Sequence, residues 1–457
     1  MWCNTLRFMA EPIAITGLGV TSAFGVGVEA FWEGLRAGRC MIREPESLNA
    51  SSFSCQFAAE APGLTMKDHL PKHYRKFARV MARDIELAVV AANEAAASAK
   101  LGTGEDQARA HEPHRLGTHV GAALIAPQIP ELARAMHAAK GDDGSWDMHE
   151  WGESGMGQLT PLWMLKYLPT MLACHVSILH QAKGPSNTIT AGEASGLLSI
   201  GEAMRVIERG DADASLAGSG DSRVNHLAIK RLSLIGRLAE TQSLEGIDPA
   251  TLVRPFSADA IGSVPGEGAA ICVLERPDAA ASRGVPIYAT LLGFGASQAV
   301  PPMREGGPVM AGLGKSAGGT ADGLADALTH SISAALRDAD AQTQDIDAVF
   351  CHGAAELALD EAETHAFHTV FADRVTNIPF CTVSPMLGET MAAGGSLHVA
   401  AAALALRHQT LPARPNHGPS THGIGAPPTE ARPATLDRAL VCTHALGGQC
   451  AAVVLGR

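Results

Sequence analysis

The sequence predicts an α/β chain built on parallel βαβ units and arranged as two similar halves. Three observations carry this. First, GPSNTITAGEASGLLSIGEAMRVIERGDADASLAGSG (Gly184–Gly220) orders a loop, a strand, a small-residue turn, a helix and a second strand in immediate succession, which argues for a parallel crossover. Second, the same grammar returns downstream: a strand at Tyr288–Phe294, a helix at Ala321–Asp338, and a strand at Ile346–His352 ending in a glycine-containing turn. Helices at Glu361–Val370 and Ala392–Leu406 and closing strands within Ala439–Val454 complete it. Third, hydrophobic residues make up 46% and aromatic residues only 4%, with 48 glycines, so the elements are expected to pack closely through small side chains. The repeated order suggests an internal duplication, although no residue-level repeat is visible.

At 457 residues the chain is too long for one ordinary domain. The halves are expected at 1–283 and 284–457, with loop insertions at about 102–115 and 141–158 in the first. Lys+Arg total 35 against Asp+Glu 47, a net charge of −12 with no basic run, which argues against nucleic acid or an anionic membrane surface as partner. No apolar stretch approaches the roughly 18 residues of a membrane span. Nine cysteines are scattered with no C-x-x-C pair, so neither a zinc knuckle nor a disulfide framework is indicated and a cytoplasmic setting is expected. The opening MWCNTLRFMAEP lacks a signal-peptide apolar region, and Met9 is an alternative start to Met1.

In the first half, Ile13–Ile15 reads as a strand running into TGLGVTSAFG, where Gly17, Gly19 and Gly25 miss the G-x-G-x-x-G spacing. Val28–Ala37 reads as a helix that Gly38 stops, Phe77–Lys100 as a long Ala-rich helix, and Leu116–Leu124 as a glycine-broken strand. GDDGSWDMHEWGESGMG (Gly141–Gly157) reads as irregular: a surface insertion, a cover for a site, or a subunit contact. Leu162–His180 is apolar and compatible with helix. GLGKS (Gly312–Ser316) lacks the first glycine of a phosphate loop, HEWGE at His149 is not H-E-x-x-H, and His365 with His368 has no acidic partner at metal-site spacing.

Three turns carry the chemistry: TAGEASG (Thr190–Gly196), CHGAAELALDEAE (Cys351–Glu363) and SPMLGETMAAGG (Ser384–Gly395). In the first, small residues flank Glu193 at a helix start, where orphan N–H groups favour an anion.

These turns, with IAITGLGVTSAFGVGVEAFWEGLRAGRC, IERGDADASLAGSGDS, VRPFSADAIGSVPGEGAAICVLE and THALGGQCAAVVLGR, resemble the β-ketoacyl-acyl-carrier-protein synthases of the thiolase superfamily over nearly the whole chain. The resemblance implies a five-layer αβαβα fold of two similar halves. It also implies a nucleophilic Cys in T-A-C-A-[ST]-G, a His in H-G-T-G-T and a second His in K-S-x-x-G-H. The Cys position falls on Glu193 and the first His is kept as His352. The second His falls on Glu389, and the Lys on Ser384. The threonines of H-G-T-G-T fall on or near Ala354 and Glu356. A family Phe falls on Ser263 ahead of Gly266–Gly268, and the paired C-terminal phenylalanines fall on His444 and Leu446. Ser263, Ser384, His444 and Leu446 are thereby the implied substrate-lining positions.

A carboxylate at position 193 cannot hold an acyl chain as a thioester. Glu389 also sets negative charge where the enolate would develop. Three readings follow. The chain is a non-condensing partner subunit like the chain-length factors that pair with polyketide ketosynthases and also lack the Cys. Or it is an enzyme using Glu193, His352 and Glu389 to decarboxylate, hydrolyse or transfer an acyl group on acyl carrier protein. Or these three residues hold a divalent metal. The resemblance implies no cofactor. It implies acyl carrier protein as partner and a dimer, homo- or heteromeric with an active ketosynthase, formed through Asn187–Ile189. Within the pocket, Glu193 is expected ionised and facing His352, with Glu389 the protonated acid.

Overall fold

The computed structural model describes residues 12–103, 108–244, 246–300, 321–416, 423–425, 429–445 and 447–457. Met1, Met9, the GLGKS segment and Leu446 lie outside these residues.

The ten long-sheet strands are β1 (Ile13–Ser22), β2 (Leu116–Gly121), β3 (Ser186–Ile189), β4 (Ala214–Ser222), β5 (Glu267–Glu275), β6 (Ala289–Gln298), β7 (Ala348–Phe350), β8 (Phe380–Cys381), β9 (Arg438–His444) and β10 (Gln449–Gly456). Their order is β8-β7-β9-β10-β6-β1-β5-β4-β2-β3. Cut between β6 and β1, this is one pattern written twice. In each half a central strand, β2 or β7, pairs in parallel with two neighbours, and two antiparallel strands follow. Among the described residues, three paired strand positions join the halves edge to edge: Ile13 with Leu291, Ala14 with Thr290, and Ile15 with Ala289.

The described helices that matter are α1 (Val28–Ala37), α2 (Arg83–Ser98), α3 (Met171–His180), α4 (Ser195–Glu208), α5 (His226–Leu234), α6 (Ala321–Asp338), α7 (Leu357–Phe371) and α8 (Ala392–His408). Helix α2 packs on β1, β4 and β5, with α3 beside it. Helix α6 packs on β6, β9 and β10, with α7 beside it. Between the sheets α4 and α8 lie against each other and against strands of both halves. This is the thiolase-like αβαβα arrangement, with α4 and α8 as the buried middle layer. Helix α8 owes its burial to composition: AAGGSLHVAAAALALRH is apolar all round and buried from Ala392 to Leu406 except Gly394.

The duplication reaches single residues. A Cβ on Gly17 or Gly19 of β1 would stand 2.3 or 2.0 Å from carbonyl oxygens of Ala95 or Ala91 on α2. On β6, Gly293 and Gly295 stand in the same relation to Ala335 and Ser331 of α6, at 2.4 and 2.1 Å. The paired motifs ITGLG and LLGFG thus do the same work: they let a helix lie directly on a strand. Where α4 meets α8, the Ser219 and Ser396 hydroxyls bond at 2.6 Å and a Cβ on Gly196 would clash with both.

Several boundaries differ from expectation. β1 runs to Ser22, because Thr16 and Thr21 bury their hydroxyls in hydrogen bonds to Glu275 and the Leu87 carbonyl. The Phe77–Lys100 pattern divides into a 3₁₀ stretch at Arg75–Val80 and α2. The apolar Leu162–His180 stretch breaks before α3, where Pro169 intervenes. The 141–158 segment is helical from Met148 to Gln158 rather than irregular, because the Asp147 carboxylate caps it by accepting from the N–H groups of His149 (2.7 Å) and Glu150 (3.0 Å).

Candidate functional site at the N-termini of the two central helices

Each site residue sits at the end of an element. Glu193 lies in the turn Gly192–Ala194 that leads from β3 into α4; Gly192 has φ 55°, and Ser195 Oγ closes the turn by donating to the Gly192 carbonyl at 2.6 Å. His352 follows β7. Its loop is held by Glu363 of α7, whose carboxylate accepts from the backbone N–H groups of His352 (3.0 Å) and Gly353 (2.9 Å). Glu389 precedes α8, and its backbone pairs with the 262–266 segment: its N–H donates to the Val264 carbonyl (2.7 Å) and its carbonyl accepts from Gly266 (2.9 Å). His444 closes β9. The fold therefore brings Glu193, His352 and Glu389 into one buried cluster, each at most 6% exposed.

A fourth residue completes it. Arg237, in the loop after α5, donates from Nη2 to Glu193 Oε1 at 2.5 Å and lies 3.6 Å from Glu389 Oε2. On the other side of that same oxygen, His352 Nε2 approaches to 3.1 Å, while Glu389 Oε1 accepts from the Met391 N–H at 2.8 Å. Burial disfavours the charged form of every member. For His352 the Glu389 charge and hydrogen bond outweigh burial and lift its pKa to about 9. For Glu389, His352 and then Arg237 outweigh burial and pull it down to about 2. Arg237 is held above its ordinary value, because Glu193 and Glu389 outweigh its burial. The expectation that Glu389 is the protonated acid is thus corrected: it is held ionised, because His352 directs its hydrogen bond to Glu389 and Arg237, a cation the motifs do not contain, stands beside it.

The neighbouring histidines are neutral. Burial, then the His352 and Arg237 charges, hold His444 well below its ordinary range, and its ring lies 4.7 Å from that of His352. His398 accepts from the Val383 N–H and donates to the Gly394 carbonyl, and burial lowers it to about 4. Ser384 donates to the Gly353 carbonyl at 2.6 Å, so it braces the His352 loop. Ser263 is buried, and its Oγ has no hydrogen-bond partner among the described residues. Ala354 is buried, and Glu356 caps α7 by accepting from the Leu359 N–H. Arg237 and Glu363 escaped the sequence reading. Only the place of Glu363 at the end of the Cys351–Glu363 motif and the lone Arg of the apolar IGRLA stretch marked them. The three acid and imidazole residues do not form a metal site: a guanidinium stands between the carboxylates, and no His/Cys/Asp/Glu group among the described residues has ligand geometry.

The profile described as β-ketoacyl synthase, N-terminal domain, matches residues 10–280, and its C-terminal counterpart matches 309–417. The chain belongs to the β-ketoacyl synthase family. Within it, the chain is 30% identical to a putative polyketide β-ketoacyl synthase 1 of Streptomyces cyaneus, over 98% of each chain. It is 27% identical to 3-oxoacyl-[acyl-carrier-protein] synthase 2 of Staphylococcus aureus (strain COL), over 92% of this chain and 89% of that one. Among solved structures, the ishigamide ketosynthase/chain length factor superposes with a TM-score of 0.78 at 25% identity, covering 98% of this chain and 99% of that one. A β-ketoacyl synthase from Burkholderia phymatum STM815 gives the same figures.

Proposed function

We propose that the chain is a non-condensing subunit of fatty-acid or polyketide type assembly, paired like a chain-length factor with a ketosynthase that carries the full Cys-His-His set. One observation carries this: the nucleophile position is a glutamate engaged by a buried arginine. A thioester needs a thiolate there, and a carboxylate tied to a guanidinium offers none. The second-histidine position is an anion, opposite in sign to what an enolate requires. The acid/base alternative draws less support, since His352 at about 9 and Glu389 at about 2 keep their charges across neutral pH. The likeness to a ketosynthase/chain length factor structure supports a heterodimeric setting, and the likeness to a 3-oxoacyl-[acyl-carrier-protein] synthase supports acyl carrier protein as the partner such a pair would serve.

The test is reconstitution. The purified chain, given malonyl- and acyl-acyl carrier protein, is expected to release no carbon dioxide, form no 3-oxoacyl product and carry no acyl adduct. Co-expressed with the Cys-His-His synthase encoded nearest to it, it is expected to form a heterodimer that elongates. Turnover by the chain alone overturns the reading.

A further inference from the structure

The carried-over motifs assign no role to Arg237, yet it is the residue around which the site is built. Its loop is pinned at both ends of the peptide unit: its N–H donates to the Leu232 carbonyl at 3.1 Å, and its carbonyl accepts from Ser263 at 3.0 Å. The side chain is 4% exposed. Its Nη1 has no partner among the described residues, so the guanidinium is placed by its two carboxylate neighbours. Together the two glutamates, the guanidinium and the His352 imidazolium balance in charge, which is the condition for burying four ionisable groups together.

We propose that Arg237 is the positioning residue that closes this pocket: it locks Glu193 to Glu389 and fills the space an acyl thioester at position 193 would need. This rests on the reading of the chain as a non-condensing subunit. It follows that rebuilding the family's Cys and second His at positions 193 and 389 is not enough. That pair of changes removes both anions and leaves a buried guanidinium against His352 and a second imidazole. Arg237 must go with them.

Two experiments decide it. In a double-mutant cycle, Arg237→Met is expected to lower the melting temperature by roughly 3–5 °C, the scale of a buried pair broken on one side in a chain of this length. Arg237→Lys, which keeps the charge, is expected to cost less. Adding Glu193→Gln to Arg237→Met is expected to recover at least half of the loss, because it removes the anion left unpaired. If Arg237→Met is insoluble, recovery of soluble protein on adding Glu193→Gln is the same result. Additive losses, or no recovery, overturn the positioning role. In the second experiment, Glu193→Cys/Glu389→His and the same chain with Arg237→Met are incubated with dodecanoyl-pantetheine. The introduced thiol attacks the thioester carbonyl, the bond to the pantetheine sulfur breaks, and the pantetheine thiol leaves with the proton the attacking thiol gave up. The mass of the peptide containing position 193 is expected to show the acyl adduct at least tenfold more in the triple variant. Equal labelling, or none in the triple variant, overturns the closure. The non-condensing reading fails separately, if the unaltered chain turns over malonyl-acyl carrier protein.

Discussion

His352 and Glu389 share one carboxylate oxygen with the rest of the site: Nε2 and Oε2 stand 3.1 Å apart, and the second carboxylate oxygen is committed to the Met391 N–H. The imidazole is cationic because of that carboxylate. Without it, burial and Arg237 both press His352 toward the neutral form, with Glu193 opposing them. Glu389→Gln is therefore expected to drop the His352 pKa from about 9 to below its ordinary 6.5. An NMR titration of ¹³C-labelled histidine in the unaltered chain and the variant measures this. A value staying near 9 would mean that Glu193 is the true counter-ion.

The strand glycines predict a stability effect that the two halves share. Gly19→Ala and Gly295→Ala each push a methyl to about 2 Å from a helix carbonyl, so strand and helix must part. Each is expected to cost roughly 1–3 °C in melting temperature, and by similar amounts, on the scale of overpacking penalties of roughly 1–3 kcal/mol in a chain of this length. Gly284→Ala, with open space at its Cβ, controls for the general effect of losing a glycine; its φ of 62° carries only local strain. Unequal losses at Gly19 and Gly295 would show that the two helix contacts are not energetic equivalents.

How much of this was legible beforehand follows from range along the chain. Helix α1 was read to the residue, because Gly38 adopts the left-handed conformation that ends it. Glu193, His352 and Glu389 were legible because each sits in a turn whose small residues mark it, in an order that matches a family. Arg237 was not: it is 44 residues from Glu193 in a loop whose neighbours are ordinary, and only the closing of Ser263 onto its backbone carries it there. The glycine duplication was hidden for a related reason. ITGLG and LLGFG look like two unremarkable strands until the helices that lie on them are in place. The charge assignment within the pocket failed with Arg237, since a missing cation changes which acid is neutralised.

The edge strand β3 predicts where subunits join. The Pro185 and Ile189 carbonyls accept from Thr118 and Ala122, so Ser186 and Thr188, alternating with them, turn their backbone groups away from β2. Ser186 and Asn187 are exposed. An open strand edge suits a second subunit. Thr188→Pro removes an outward N–H while sparing the bonds to β2. It is expected to convert a dimer into a monomer by light scattering with the far-ultraviolet dichroism unchanged. A variant that remains dimeric would place the interface elsewhere.

The last prediction is a pH dependence whose sign the pocket sets. His352 has a folded pKa of about 9 against an ordinary 6.5, so its contribution to stability is fully present below 6.5 and is lost as pH rises through about 9. Glu389 lies at about 2 against 4.5, so its contribution is present above 4.5 and is lost only as pH falls through about 2. Asp360 complicates the raw profile. Burial raises it to about 7 from 3.8, and a buried acid of this kind costs stability as pH rises between those values. The His352 charge lowers it in the unaltered chain, so the unaltered residue and His352→Gln are compared in an Asp360→Asn background, which removes its titration from both. Glu389 stays ionised in the unaltered chain throughout the alkaline range, and Arg237 keeps its charge, so between 6.5 and 9 the difference follows His352. That difference is expected to be largest near pH 6.5 and to shrink steadily as pH approaches 9, on the order of a few kcal/mol in all. A difference that holds constant over this interval would mean that His352 is neutral at the lower end, and that the imidazole meets Glu389 as a hydrogen-bond donor without the charge.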